Sequence, residues 1–109
     1  MITWNDFEKI DIRVGTILSV IDFPNARKPA YQLTIDFGHS GVKKSSAQIT
    51  SLYSKDELAG KQVIAVINLP PKQIGNFFSE CLVLGVYNEN NDVILLQPGK
   101  TVKNGSKIS

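Results

Sequence analysis

The stretch DIRVGTILSVIDF, residues 11–23, alternates along most of its length. Ile12, Val14, Leu18 and Val20 fall on one side, with Asp11, Arg13 and Ser19 on the other. This is long for a strand, and Gly15 stands inside it, where a glycine commonly marks a bulge or a sharp bend. A first strand that bends midway can serve two sheets at once.

Working outward, Thr3 opens a short helix signal. Its hydroxyl can accept from the backbone N–H of Asp6, whose carboxylate can reach back, and Trp4 and Phe7 then share a face. On the other side PNARKP, residues 24–29, breaks the strand with two prolines. A second strand follows, with Tyr31, Leu33, Ile35 and Phe37 on one face and Gln32, Thr34 and Asp36 on the other. GHSG at 38–41 is a turn, and the polar strand VKKSSAQIT runs from 42 to 50. Ser54 and Glu57 form a second capping box for a helical turn that Gly60 stops. Further strands read as 62–69, 82–87 and 93–97, the last two joined by the turn NENND. Three strands, a short helix and then more strands is the order of an OB-fold. The expectation is an all-β chain: a five-stranded OB-fold barrel with a short helix between strands three and four, and N- and C-terminal extensions. All 109 residues form one domain, with its core over about 7–106.

The net charge is +2, unevenly placed. Residues 24–50 carry Arg27, Lys28, Lys43 and Lys44 against Asp36 alone, and residues 98–109 carry Lys100, Lys103 and Lys107 with no acid. Clustered positive charge suits a negatively charged partner, although solvated surface lysine accounts for any one of these residues equally well. No apolar run approaches the roughly 20 residues of a membrane helix, and the acidic N-terminus does not read as a signal peptide, so a cytoplasmic location without membrane insertion is expected. The lone Cys81 fits a reducing compartment.

VIAVINL at 63–69, CLVLGV at 81–86 and ILL at 94–96 are apolar on both faces, whereas barrel strands alternate. The second face needs cover from the terminal extensions or from another copy of the chain, and a homodimer is expected. Catalysis finds no support. His39 is the only histidine and sits in a turn, no metal-ligand spacing exists, and GKQVIA at Gly60 lacks the features of a phosphate loop. The expectation is a binding protein that is not an enzyme and carries no catalytic residue, metal or cofactor.

The polar strand is then a surface. With Ala47 and Ile49 inward, Lys44, Ser46, Gln48 and Thr50 face out beside Gln32 and Thr34, on the face where OB-folds bind their ligands. There are no aromatic platforms for stacking bases. Donors and a basic rim of Arg27, Lys28, Lys43 and Lys44 could grip a folded RNA by its phosphates, or hydrogen-bond an extended peptide. A simply solvated face stays open as an alternative.

Finally, IDIRVGTIL at 10–18, YQLTIDFG at 31–38, LYSKDELAGKQVIAVINLPPKQIG at 52–75 and SECLVLG at 79–85 resemble successive blocks of the tRNA-binding OB-fold family. That family includes free-standing dimeric tRNA-binding proteins and the C-terminal domain of some methionyl-tRNA synthetases. ARKPAY at 26–31 and KKSSAQIT at 43–50 resemble its CsaA branch of export-related chaperones. The resemblance implies a dimeric, cytoplasmic OB-fold that binds unfolded or precursor polypeptides, with tRNA as the alternative ligand. Where tRNA-binding relatives show an arginine followed by apolar residues, this chain has Lys43, Ser45 and Ser46; of their Ser-x-Gly-Met block only Ser79 carries over. Candidate ligand contacts are Arg27, Lys28, Gln32, Lys43, Lys44, Ser46, Gln48, Lys72 and Ser79. Pro71, Phe77 and Phe78 are candidate apolar contacts to a peptide or within a dimer.

Overall fold

The computed structural model describes all 109 residues, Met1–Ser109. Helix α1 (Trp4–Glu8) starts on the expected capping box: the Asp6 N–H donates to Thr3 Oγ1, and the Thr3 N–H donates to the Asp6 carboxylate. That backbone donor holds the Asp6 carboxyl below the usual aspartate range.

The barrel follows from strand β1 (Ile12–Asp22), which is shared between neighbours. Its first half pairs with β4 (Gln62–Val66), from Ile12 opposite Val66 to Thr16 opposite Gln62. The second half pairs with β2 (Tyr31–Asp36), out to Asp22 opposite Tyr31. Strand β2 pairs in turn with β3 (Val42–Ala47) across the Gly38–Ser40 turn, and β4 pairs with β7 (Leu82–Val83). The five-stranded order is β3-β2-β1-β4-β7, an antiparallel and nearly closed OB-fold-like barrel.

Gly15 and Leu18 differ from their expected roles. The register slips between Ile17 and Ser19, so the irregularity falls at Leu18 rather than at Gly15. The inward phase changes across the slip: Gly15 and Ile17 face the core before it and Val20 packs on the core after it, while Leu18 is exposed, although alternation had placed Leu18 with Val14. Gly15 serves packing instead. A Cβ there would meet Ile35 Cγ2 and the Phe37 ring at 2.7 Å, so the missing side chain is what lets Phe37 lie against the strand.

The interior is formed by Ile17, Leu33, Ile35, Phe37 and Val63, with Leu58 of α2 (Lys55–Leu58) plugging one end. Full burial of such a leucine contributes roughly 1.5–3 kcal/mol. The Tyr31 hydroxyl donates to the Tyr53 carbonyl, and the Tyr53 hydroxyl accepts from the Leu95 N–H, tying the barrel wall to the segment Val93–Leu95 outside the five-stranded sheet.

Two small hairpins complete the fold. Strand β8 (Gly85–Tyr87) pairs with β9 (Val93–Leu95) across the expected turn, where Asn88 Oδ1 accepts from the N–H groups of Asn90 and Asp92. The expected single strand 82–87 is thus divided at Leu84. The segment 72–79, between the strands expected at 62–69 and 82–87, is a second hairpin: β5 (Lys72–Ile74) pairs with β6 (Phe77–Ser79) around Gly75, whose φ is +61°. The C-terminal tail then returns to β1. The Gly105 N–H donates to Val14 O, the Val14 N–H to Ser106 O and the Ile108 N–H to Ile12 O.

Candidate functional site

Strand β3 has one edge bonded to β2 and one edge free of any strand. Antiparallel pairing sets Lys44 opposite Thr34 and Ser46 opposite Gln32. Lys44, Ser46 and Gln48 therefore share the outer face with Gln32 and Thr34, while Ser45, Ala47 and Ile49 are buried inside. The outer face is a donor-rich surface without an aromatic ring. Lys43 does not join it. It lies opposite Ile35 with the inward set and is half-buried, so the Lys43–Lys44 pair splits between the two sides of the strand.

The free edge of β3 is closed by two residues, through two side chains and one main-chain amide. Main-chain groups of alternate residues point toward it. The Lys44 N–H donates to Glu80 Oε1 at 2.9 Å, and Lys44 O accepts from the Glu80 N–H at 2.7 Å. Two residues on, the Ser46 N–H donates to Ser79 Oγ at 3.1 Å. Ser79 and Glu80 thus take the place of a neighbouring strand across the seam.

Past Ser46 the seam opens into a cleft of about 320 Å³. Its walls include Ala47 at the end of β3 and Ile49 just beyond it, Ile74 of the β5–β6 hairpin, Val83 of β7, and Val93 and Leu95 of β9. Tyr87, 75% exposed, stands at this cleft, and Lys72 is the one charged side chain lining it. Cys81 is buried in the same wall, and that burial pushes its thiol up to about 11, against a weaker opposing pull from Lys43. It is a poor nucleophile there.

Of the residues expected at the site, Gln32, Lys44, Ser46, Gln48, Lys72 and Ser79 come together around the outer face and cleft, with Lys72 directly opposite Ser79 in the hairpin. Lys28 lines a neighbouring groove with Gln48 and Asp92, and Arg27 lies farther along the same loop beside Asp22 and Thr50. Phe77 packs edge-on against Phe23 with ring centroids 5.2 Å apart, whereas Phe78 is 52% exposed and Pro71 is exposed. The sequence reading missed Glu80 and the aromatic and aliphatic walls. Gly75-Asn76, a two-residue hairpin signal between Ile74 and Phe77, was the cue that would have found this hairpin.

A second surface is apolar. Leu82, Val86, Ile94 and Leu96 are all exposed, with Val86 paired directly opposite Ile94. Trp4, 86% exposed, forms a shallow hollow with Phe7, Ile10 and Ile108, and on the second apolar face of the strands Val66 is buried while Leu82, Val86 and Ile94 stay uncovered. No helix is long and apolar enough to cross a membrane.

Comparison with known proteins adds to this geometry. Residues 12–107 match the family model described as "Putative tRNA binding domain". A methionine–tRNA ligase of Thermococcus onnurineus is 37% identical over 107 residues, covering 98% of this chain but only 14% of that protein's own length. The crystal structure of chaperone CsaA from Bacillus anthracis is 50% identical, with a TM-score of 0.95 over 100% of this chain and 99% of that one. That of the CsaA chaperone protein from Picrophilus torridus is 58% identical, with a TM-score of 0.94 over the whole of both chains.

Proposed function

Since the chain belongs to the tRNA-binding-domain family, we propose that it is the family's chaperone form, an ATP-independent holder of unfolded or precursor polypeptides bound for export. The observation that carries this reading is the apolar cleft at the barrel seam, rimmed by Lys72 and the donors of β3. The likeness over the full chain to two structures titled as CsaA chaperones supports it. On this reading the protein acts in the cytoplasm and catalyses no reaction. It shifts mass action by binding the unfolded chain. The exposed Leu82, Val86 and Ile94 meet their own copy in a homodimer, since a self-complementary apolar patch closes on itself.

A second reading is supported by the family itself and by Lys44 among the donors of the outer face: a binder of folded tRNA. The two readings separate by salt. RNA gripped through about four cations loses affinity with a log–log slope of roughly −3 to −4, while apolar burial of a peptide is nearly independent of salt. Titrating labelled tRNA at two salt concentrations, with an unfolded precursor peptide as competitor, decides between them. Weak tRNA binding with peptide captured at either salt favours the chaperone. Tight, steeply salt-dependent tRNA binding that peptide does not displace favours the RNA reading. In that case Lys44→Ala should flatten the slope by about one unit, and Lys43→Ala, on the inner side, by less.

A further inference from the structure

The free edge of β3 presents its main chain at every second residue. At Lys44 both the N–H and the carbonyl are taken by Glu80, and at Ser46 the N–H is taken by Ser79 Oγ. Side-chain burial keeps alternating beyond the strand's end, with Ala47 in, Gln48 out and Ile49 in, so the chain remains extended past Ser46. Gln48 is the next residue whose main chain faces the seam, and neither its N–H nor its carbonyl has a partner. That unpaired step lies in the wall of the apolar cleft.

We propose that an extended polypeptide segment adds to this edge as a strand, pairing its backbone with Gln48 and setting alternate side chains into the cleft. This rests on the polypeptide-holding reading above and specifies how the holding is done. The physical case has three parts. An unpaired strand edge is a template for another strand, and main-chain bonding is indifferent to sequence, which suits a holder of many clients. The side chains beside that edge, Ala47 of β3 and Ile49 just past it with Val83 and Val93 across the cleft, are apolar and receive apolar residues. Charge narrows the choice of segment: Lys72 is the cleft's single charged group and no acid lines it, so an acidic residue among the apolar ones is favoured. The neighbouring groove beside Gln48 holds Lys28 and Asp92 together, so charge there selects neither sign and Lys72 alone sets the preference.

The test uses the full chain and a fluorescein-labelled peptide of about six residues, alternating valine with polar residues and carrying one aspartate. Two further versions are N-methylated, each on one alternating set of amides. Both methylated forms keep every side chain, and each removes the donors of one peptide edge. Strand addition predicts that methylating one set weakens binding by about tenfold or more, while methylating the other changes it by less than about threefold. It also predicts that the unmethylated peptide slows hydrogen exchange at the Gln48 amide. Equal losses from the two sets, with no protection at Gln48, would overturn strand addition and leave the holding function intact. Absence of any peptide binding, with tRNA bound instead, would overturn both.

Discussion

The barrel is closed by two different devices. Around β1, backbone meets backbone: β4 and the tail flank its first half and β2 flanks its second, with Gly15 giving up a side chain so that Phe37 can pack. At the far edge of β3 only one main-chain bond remains, from the Glu80 N–H to Lys44 O, and the side chains of Ser79 and Glu80 stand in for a strand over one short step before the gap opens. The first device fixes shape and the second leaves a place to bind. A ladder of main-chain bonds has no vacancy for a ligand, whereas a closure made by two residues, mostly through their side chains, ends where they end.

Three perturbations test this contrast. The largest effect belongs to the packed side. Gly15→Ala places a methyl at 2.7 Å from Ile35 and Phe37 and should cost about 1–3 kcal/mol in urea unfolding. A loss below the error of extrapolation would mean that Phe37 has room to move. The second concerns how dry the seam wall is. Burial raises the Cys81 thiol from 9.0 to about 11. In that window the unfolded chain loses its proton while the folded chain keeps it. Stability from this group is therefore complete below pH 9 and is lost as pH rises toward 11, by on the order of 1 kcal/mol. Cys81→Ala should remove this part of the alkaline slope, so identical slopes in the two proteins would make the seam wetter than its packing implies. Smallest is Ser79→Ala. It frees the half-buried N–H of Ser46 and removes a long bond of 3.5 Å from Ser79 Oγ to Cys81 O, a change worth about 0.5–1 kcal/mol in urea unfolding. A cost as large as that of Gly15→Ala would erase the distinction between the two closures.

How far the sequence disclosed the molecule follows the same division. Elements with a local chemical signature were legible: both capping boxes, the Gly60 stop and the clean alternation of Tyr31–Phe37 depend on neighbours in sequence. The facing of β3 was legible too, because buried Ala47 and Ile49 fix the phase of Lys44, Ser46 and Gln48. What escaped depends on contacts made across the chain. Nothing near Gly15 tells whether it bends a strand or admits a ring from residue 37, and the slip at Leu18 lies in the pairing with β2, a partner that is distant in sequence. Adjacent lysines look like one patch in sequence, yet a pleated strand puts Lys43 and Lys44 on opposite sides. The role of Glu80 as a substitute strand follows from meeting Lys44, 36 residues away.

The return of the tail to β1 bears on the timing of synthesis. Arg13 bridges Lys107, and its guanidinium donates to Gly105 O across 92 residues. The opening half of β1 is among the first parts of the barrel to leave the ribosome, and its outer partners, residues 105–108, emerge after every other strand. Until then an edge carrying Ile12 and Val14 stays open, and pairing at such separation is slow to form. Each nascent copy is itself, for that interval, a chain with an unpaired strand waiting for its complement.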